Sequence, residues 1–205
     1  SEMCIRDRAS SYRSNPLRLA EFTLSRKDPE YVGRAKEVQK AQKAVEADTC
    51  PGDALPEIHP VMDTIRATFS DVNRSNVGFG STIFAVKPGD GSAREQAASC
   101  QRVLGGAANF AKEYATKRYR SNCINWGMLP FTLDADTPFD HQPGDYVFVP
   151  DVRKLVGQGS EDFPAMVLRA DGSKTPLVLH VRGLTDDERE ILLDGCLMNY
   201  YAKRG

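Results

Sequence analysis

The passage from Ser81 to Gly106 most limits what this chain can become. Ser81 to Lys87 is a largely apolar run that reads as a buried strand. Gly89, Asp90 and Gly91 follow it. Ala93, Ala97, Cys100 and Leu104 then recur at spacings of three and four, the period of a helix. The unit is strand, glycine turn, helix, with the glycines at a bend where positive φ is needed.

Two readings of the turn compete. Ser92 to Glu95 fit the capping-box pattern Ser-x-x-Glu. In that reading Ser92 caps the first free N–H groups, Glu95 reaches back to the Ser92 N–H, and Arg94 is a solvated first-turn side chain. The second reading uses the same physics. A helix start gathers unpaired donors and partial positive charge, so it attracts anions. Arg94 adds a planar fork suited to a carboxylate. A serine oxygen held there can be stabilised as an alkoxide and serve as a base.

Downstream, Ala107 to Lys112 predicts a short strand parallel to the first, and Tyr114 to Trp126 a second helix stopped by Gly127. Asp134 to Gly144 is a polar loop and Asp145 to Val149 a strand. Met166 to Arg169 and Leu177 to Val181 flank Asp171-Gly172 as a hairpin. Thr185 to Tyr201 predicts one terminal helix opened by a capping box, Thr-Asp-Asp-Glu. The order β-α-β-α, then strands, then a helix is α/β and suits a compact β/α sandwich or open barrel.

Before this lies a weaker signal. Residues up to Gly33 show no sustained apolar period, and Ser1 to Arg8 read as a truncation or cloning scar. Arg34 to Ala47 predicts a largely polar helix, ended by Cys50-Pro51-Gly52-Asp53. Ile58, Val61, Met62, Ile65 and Phe69 have helical spacing, and Ser70 to Asn76 is a polar loop. We expect residues 1–54 to be a mostly helical or irregular N-terminal extension or interdomain linker, and 55–205 the main domain. Arg66 and Arg74 are candidates to face an anionic substrate; as solvated surface charges they read more simply. His59, His141 and His180 have no nearby ligand partners in the sequence and default to structural or solvated roles.

Composition narrows the function classes. Lys plus Arg number 27 against 28 Asp plus Glu, so no global charge points to nucleic acid or a membrane surface. Lys112, Lys117, Arg118 and Arg120, interleaved with Tyr114 and Tyr119, form one basic region. It reads as a solvated helix face, an RNA patch or a source of positive potential for a polycarboxylate; no further basic stripe supports RNA. No apolar run approaches membrane-spanning length, and no secretory signal is seen. The five cysteines, Cys4, Cys50, Cys100, Cys123 and Cys196, are scattered without a Cys-x-x-Cys. They fit reduced thiols in a cytoplasmic protein better than disulfides or a zinc site.

Gly91-Ser92-Ala93-Arg94-Glu95-Gln96-Ala97 resembles the Gly-Ser-Ser-Arg-Glu-His-Ala motif of the aconitase family. Ser121-Asn122-Cys123-Ile124-Asn125-Trp126-Gly127-Met128-Leu129-Pro130-Phe131 is similar to a second family block, Asn-x-x-x-x-Gly-Ile/Leu-Leu-Pro. Gly195-Cys196-Leu197-Met198-Asn199 stands where the family's terminal helix carries Gly-x-Leu/Ala-Asn. The resemblance is clear from about Ile83 to Phe131, weaker to the C-terminus and absent or uncertain before about Leu55. It extends to the small subunit of isopropylmalate isomerase.

The resemblance implies a C-terminal swivelling β/β/α domain of a hydratase acting on hydroxy-polycarboxylates. It implies a base role for Ser92 and substrate binding by Arg94, with Gly91 and Ala93 beside them. It also implies a [4Fe-4S] cluster ligated outside this chain, in cluster-bearing domains of the same polypeptide or a separate large subunit, and no metal held here. Two positions depart from the motif: Ala93 replaces a serine and Gln96 a histidine. A missing hydrogen bond to a charged group costs roughly 1.5–3 kcal/mol, which bears on a citrate-type substrate.

Overall fold

The structure, a computed structural model, describes residues 14–26 and 28–205. The start read as a scar, and Cys4, lie outside them. Three helices precede the first predicted one's end or follow closely on it: α1 (Pro16–Ser25), α2 (Tyr31–Glu46) and the single turn α3 (Pro51–Ala54). Then come α4 (Ile58–Thr68), β1 (Ser81–Ala85), α5 (Arg94–Val103), β2 (Gly106–Ala111), α6 (Lys117–Asn125) and β3 (Leu129–Thr132). The chain continues through β4 (Tyr146–Phe148), α7 (Val152–Gly157), β5 (Asp162–Leu168), β6 (Lys174–His180), α8 (Asp186–Asp194) and α9 (Leu197–Ala202).

The strands form one open mixed sheet in the order β1-β2-β3-β6-β5-β4. The α/β class is therefore what the structure has. β1, β2 and β3 run parallel, joined by the crossover helices α5 and α6. β6, β5 and β4 are antiparallel. The halves meet at a single register pair, Thr132 with His180. His180 is buried at that seam. Its Nδ1 lies 2.7 Å from Asp162 Oδ1 and its Nε2 3.4 Å from Asp134 Oδ2. The structural default for this histidine thus has a concrete form: it ties the end of β6 to the start of β5 and to the loop after β3.

The main core lies against the sheet, where Phe110, Phe131, Phe163, Val167 and Leu179 meet Ile124 of α6, Val156 of α7 and Ile191 of α8. α4 packs its Ile58, Val61, Met62 and Ile65 face against Leu168 and the aromatic side chains of β4. The segment before Leu55 is not loose. Ala20 of α1 and Tyr31 and Ala35 of α2 share a cluster with Cys100 of α5 and Leu104, which caps its end. Tyr31 Oη is also 3.0 Å from Ser81 Oγ at the start of β1.

Three local expectations change. α1 was not visible as a helix, because Asn15 and Pro16 supply its cap and first turn while its buried surface is mainly one alanine. Thr116, not Tyr114, sets the start of α6: its side chain accepts from the Tyr119 N–H. The terminal helix is two helices, since Gly195 caps α8 at φ 94°. The capping box at its start is present, with Thr185 and Glu188 bonded reciprocally.

Candidate functional site

The turn after β1 lies at the carboxyl end of the parallel strands, the edge where open α/β sheets expose loops and helix starts. Two helix N-termini stand there, α5 after β1 and α6 after β2. The turn is fastened to the second of them. Lys112 N and Glu113 N donate to Val86 O at 3.1 and 3.2 Å, and Ala115 N donates to Pro88 O at 2.8 Å. Thr116 Oγ1 donates to Gly89 O at 3.0 Å. Lys87 pairs with Glu113. Gly89 has φ 98°, and a Cβ there would lie 2.5 Å from Tyr119 Cβ. Only glycine satisfies both the conformation and the approach.

Beyond Gly89 the turn opens to solvent. Gly91, Ser92 and Ala93 are exposed. Arg94 is half-buried, and its Nε donates to Gly91 O at 2.8 Å. That bond uses the inner nitrogen of the guanidinium, and among the described contacts its outer nitrogens meet no protein acceptor. Ser92 Oγ likewise makes no hydrogen bond among the described residues.

The capping-box reading of Ser92 to Glu95 is overturned. The cap residue of α5 is Ala93, and no side chain caps the helix. Glu95 does not reach back. Its Oε1 accepts from Trp126 Nε1 at 2.6 Å and its Oε2 from Asn122 Nδ2 at 2.9 Å. The physical reason is competition: an indole N–H and an amide from α6 offer two side-chain donors, where the box offers one backbone donor. The first turn of α5 therefore keeps uncapped N–H groups beside an exposed hydroxyl and a guanidinium. Such a place suits an anion.

Arg66 and Arg74 stand apart from this turn in the contacts they make. Both precede β1, whereas Ser92 follows it. Arg66 Nε donates to Val72 O at 3.3 Å, and Arg74 Nε is 3.1 Å from Asp48 Oδ1. No described contact joins either arginine to Gly91, Ser92, Ala93 or Arg94.

The basic region divides in the same way. Lys112 Nζ donates to Asp134 O at 2.7 Å and to Thr137 O, closing the loop after β3. Arg120 donates to Arg182 O at 2.9 Å and pairs with Glu188 at 3.5 Å. Lys117 and Arg118 remain exposed at the start of α6. Tyr114 and Tyr119 point inward, where burial raises both phenols above the usual tyrosine value. They are core residues and offer no stacking platform for bases.

The thiols do not assemble a metal site. Among the described residues no three His, Cys, Asp or Glu side chains are grouped to hold a metal ion. Cys100 and Cys123 are buried in separate clusters. Burial pushes the Cys123 thiol up to about 11 and raises that of Cys100. Protonated, apolar-packed thiols are poor ligands. The described residues therefore do not fit an iron–sulfur cluster. Among the same residues no helix is long and apolar enough to cross a membrane.

The sequence reading missed Asn122 and Trp126 as parts of this site. Both lie in the second motif block, four residues apart and so on one face of α6. That spacing was the available signal.

A family model described as the aconitase C-terminal domain matches residues 69–136. The match spans both motif blocks, from before β1 to just after β3. No curated protein matches. Among solved structures, 3-isopropylmalate dehydratase (LeuD) from Methanocaldococcus jannaschii is 27% identical, with a TM-score of 0.43, over 74% of this chain and 83% of that one.

Proposed function

We propose, from the match of residues 69–136 to the aconitase C-terminal domain, that this chain is the C-terminal swivel domain of an aconitase-like hydro-lyase acting on a hydroxy-polycarboxylate. Ser92 is the base and Arg94 the carboxylate grip, assisted by the backbone at Gly91 and Ala93. The observation that carries the reading is the exposure of Ser92 on a helix start without a side-chain cap, two residues from a guanidinium whose outer nitrogens are unengaged. Arg66 and Arg74 make no described contact with this turn, and a role for Arg74 would compete with its pairing to Asp48.

What these residues do follows from their chemistry. The N–H groups of α5 and the positive start of α6 favour negative charge at the turn. Arg94 can present a fork to one carboxylate of the substrate. Ser92 Oγ, unbonded within the described chain, would act as an alkoxide stabilised by the helix start, taking a proton from the carbon next to that carboxylate while the electron pair left behind expels the hydroxyl from the neighbouring carbon. The family's iron–sulfur chemistry would have to come from another segment, on the same polypeptide or in a separate subunit, so the chain alone is expected to be inactive.

The test is direct. The chain is assembled with its cluster-bearing part and reconstituted anaerobically with iron and sulfide. Wild type and Ser92→Ala are compared on hydroxy-di- and tricarboxylates. Loss of turnover by about a hundredfold or more is expected when a proton-abstracting group is removed. Equal turnover removes Ser92 from the mechanism.

Ala93 supports a second reading, a non-catalytic binding module that keeps the swivel fold. The position that would carry the family's second hydroxyl is here an exposed alanine at an uncapped helix start. A partner segment without three cluster-ligating cysteines would favour this reading over the enzymatic one.

A further inference from the structure

Glu95 is the first carboxylate in α5, directly after Arg94. Both of its oxygens are engaged at the end of α6, Oε1 by Nε1 of its C-cap residue Trp126 at 2.6 Å and Oε2 by Asn122 Nδ2 at 2.9 Å. The other end of the turn is also held by the start of α6 and the residues before it, through Pro88 O and Gly89 O. Asp90 to Arg94 thus run between two anchors, one at Ala115 and Thr116 and one at Asn122 and Trp126. Inside that span the one described side-chain bond is Arg94 Nε to Gly91 O.

We propose that Glu95 is a positioning residue: its carboxylate, held by Trp126 and Asn122, fixes the direction in which Ser92 and Arg94 leave the start of α5. The catalytic consequence rests on the hydratase reading above; the strut itself does not. Magnitudes separate this role from ordinary structural glue. Glu95 is exposed, so water can replace either of its two bonds and their net contribution to stability is modest. A displacement of about 1 Å at reacting groups can cost about a hundredfold in rate. A positioning residue should therefore move turnover far more than it moves the melting temperature. Its negative charge repels a carboxylate substrate, and its two bonds point it at Trp126 and Asn122, so it supports the turn and does not grip the acid.

Two experiments test it. Trp126 is the only tryptophan in the chain, so its indole N–H gives a single resonance in the isotope-labelled protein. Glu95→Gln should shift that resonance upfield. The order parameters of the Ser92 and Arg94 amides should fall from about 0.85 toward 0.6, with β5 and β6 unchanged. In the assembled hydratase, Glu95→Gln should lower kcat about 10–100-fold with KM within about threefold. Trp126→Phe should give a similar fall, and the double variant no further fall.

An unmoved indole resonance with unchanged Ser92 and Arg94 amides overturns the strut. A strut confirmed by these signals, but with full turnover in Glu95→Gln, leaves Glu95 structural and overturns the positioning role. A wild-type assembly that turns over no hydroxy-polycarboxylate removes the hydratase reading instead, and the indole and amide signals then decide the strut alone.

Discussion

Gly127, which follows α6, is packed directly against the backbone of Gly195, which ends α8. A Cβ built on Gly127 would lie 1.7 Å from Gly195 O, and Gly127 has φ 72°. The second motif block and the C-terminal Gly-x-Leu-x-Asn stretch therefore meet backbone to backbone. Gly127→Ala must adopt a left-handed conformation and also push the α8–α9 junction away. The left-handed conformation alone costs about 1–2 kcal/mol. With the overlap added, we expect a loss of about 3 kcal/mol or more, read from urea unfolding midpoints. A loss below about 1 kcal/mol would mean that the junction yields freely.

Asn109 is buried at the centre of a polar network between α5, β2 and α6. Gln101 Nε2 donates to its Oδ1 at 2.6 Å, and its own Nδ2 donates to Tyr119 Oη at 3.2 Å. Asn109→Leu would leave Gln101 Nε2 with only its 3.2 Å bond to Ala108 O and the Tyr119 hydroxyl without its amide donor. Each such group costs about 1–3 kcal/mol, so we expect a loss of about 3 kcal/mol in urea unfolding. Adding Gln101→Leu should restore part of it, because the second orphan is removed.

These contacts show where the sequence was readable. Ser81 to Gly106 declared its strand, turn and helix because each follows from neighbours a few residues away, but β1 is a half-exposed edge strand and not the buried one its apolar run suggests. Thr185 to Glu188 declared their capping box for the same reason. Leu129 to Thr132 did not declare a strand: four residues including Pro130 carry too little period, and β2 beside them makes the strand. Val152 to Gly157 are one short helix with a single buried side chain, below what periodicity can mark. Gly195 broke a predicted long helix through its positive φ, a property its neighbours do not announce. At the proposed site, Ser92 and Arg94 are singled out by motif resemblance. Glu95 was misread, because Trp126 is 31 residues away and a local rule cannot see it.

Stability should fall on the alkaline side. Burial holds the Cys123 thiol at about 11 in the fold, against an ordinary value of 9.0. A raised value in the folded state means that the folded protein keeps its proton while the unfolded chain loses it. The stabilisation is complete below pH 9 and is lost as pH rises from 9 to about 11. Tyr114 and Tyr119 act in the same direction from their ordinary value of 10.0 upward. We expect a flat urea midpoint from about pH 7 to 8.5 and a decline above about pH 9, on the order of 2 kcal/mol from the thiol. Cys123→Ala should flatten the interval between pH 9 and 10 and leave the tyrosine-dependent fall above it. An unchanged slope in that variant would assign the alkaline loss to other groups.

Ala93 is where stability and specificity can be read from one substitution. It is the cap residue of α5, exposed and without a side-chain hydrogen bond. Ala93→Ser puts a hydroxyl within reach of the free N–H groups of the first turn, and a serine cap in place of alanine stabilises by about 0.5–1 kcal/mol. The same hydroxyl restores the aconitase motif beside Ser92. If the proposed site is correct, it adds a hydrogen bond to a charged substrate group, worth roughly 1.5–3 kcal/mol, or about 10–100-fold in kcat/KM. The gain should appear for a citrate-type tricarboxylate and be smaller for a hydroxy-dicarboxylate, because the smaller acid has one fewer carboxylate to meet. Urea unfolding measures the first effect in the isolated chain, and steady-state kinetics of the assembled hydratase measure the second. A stability gain with no change for either substrate would place Ala93 on the helix start but away from the bound acid, and the second serine of the motif would then owe its place to capping alone.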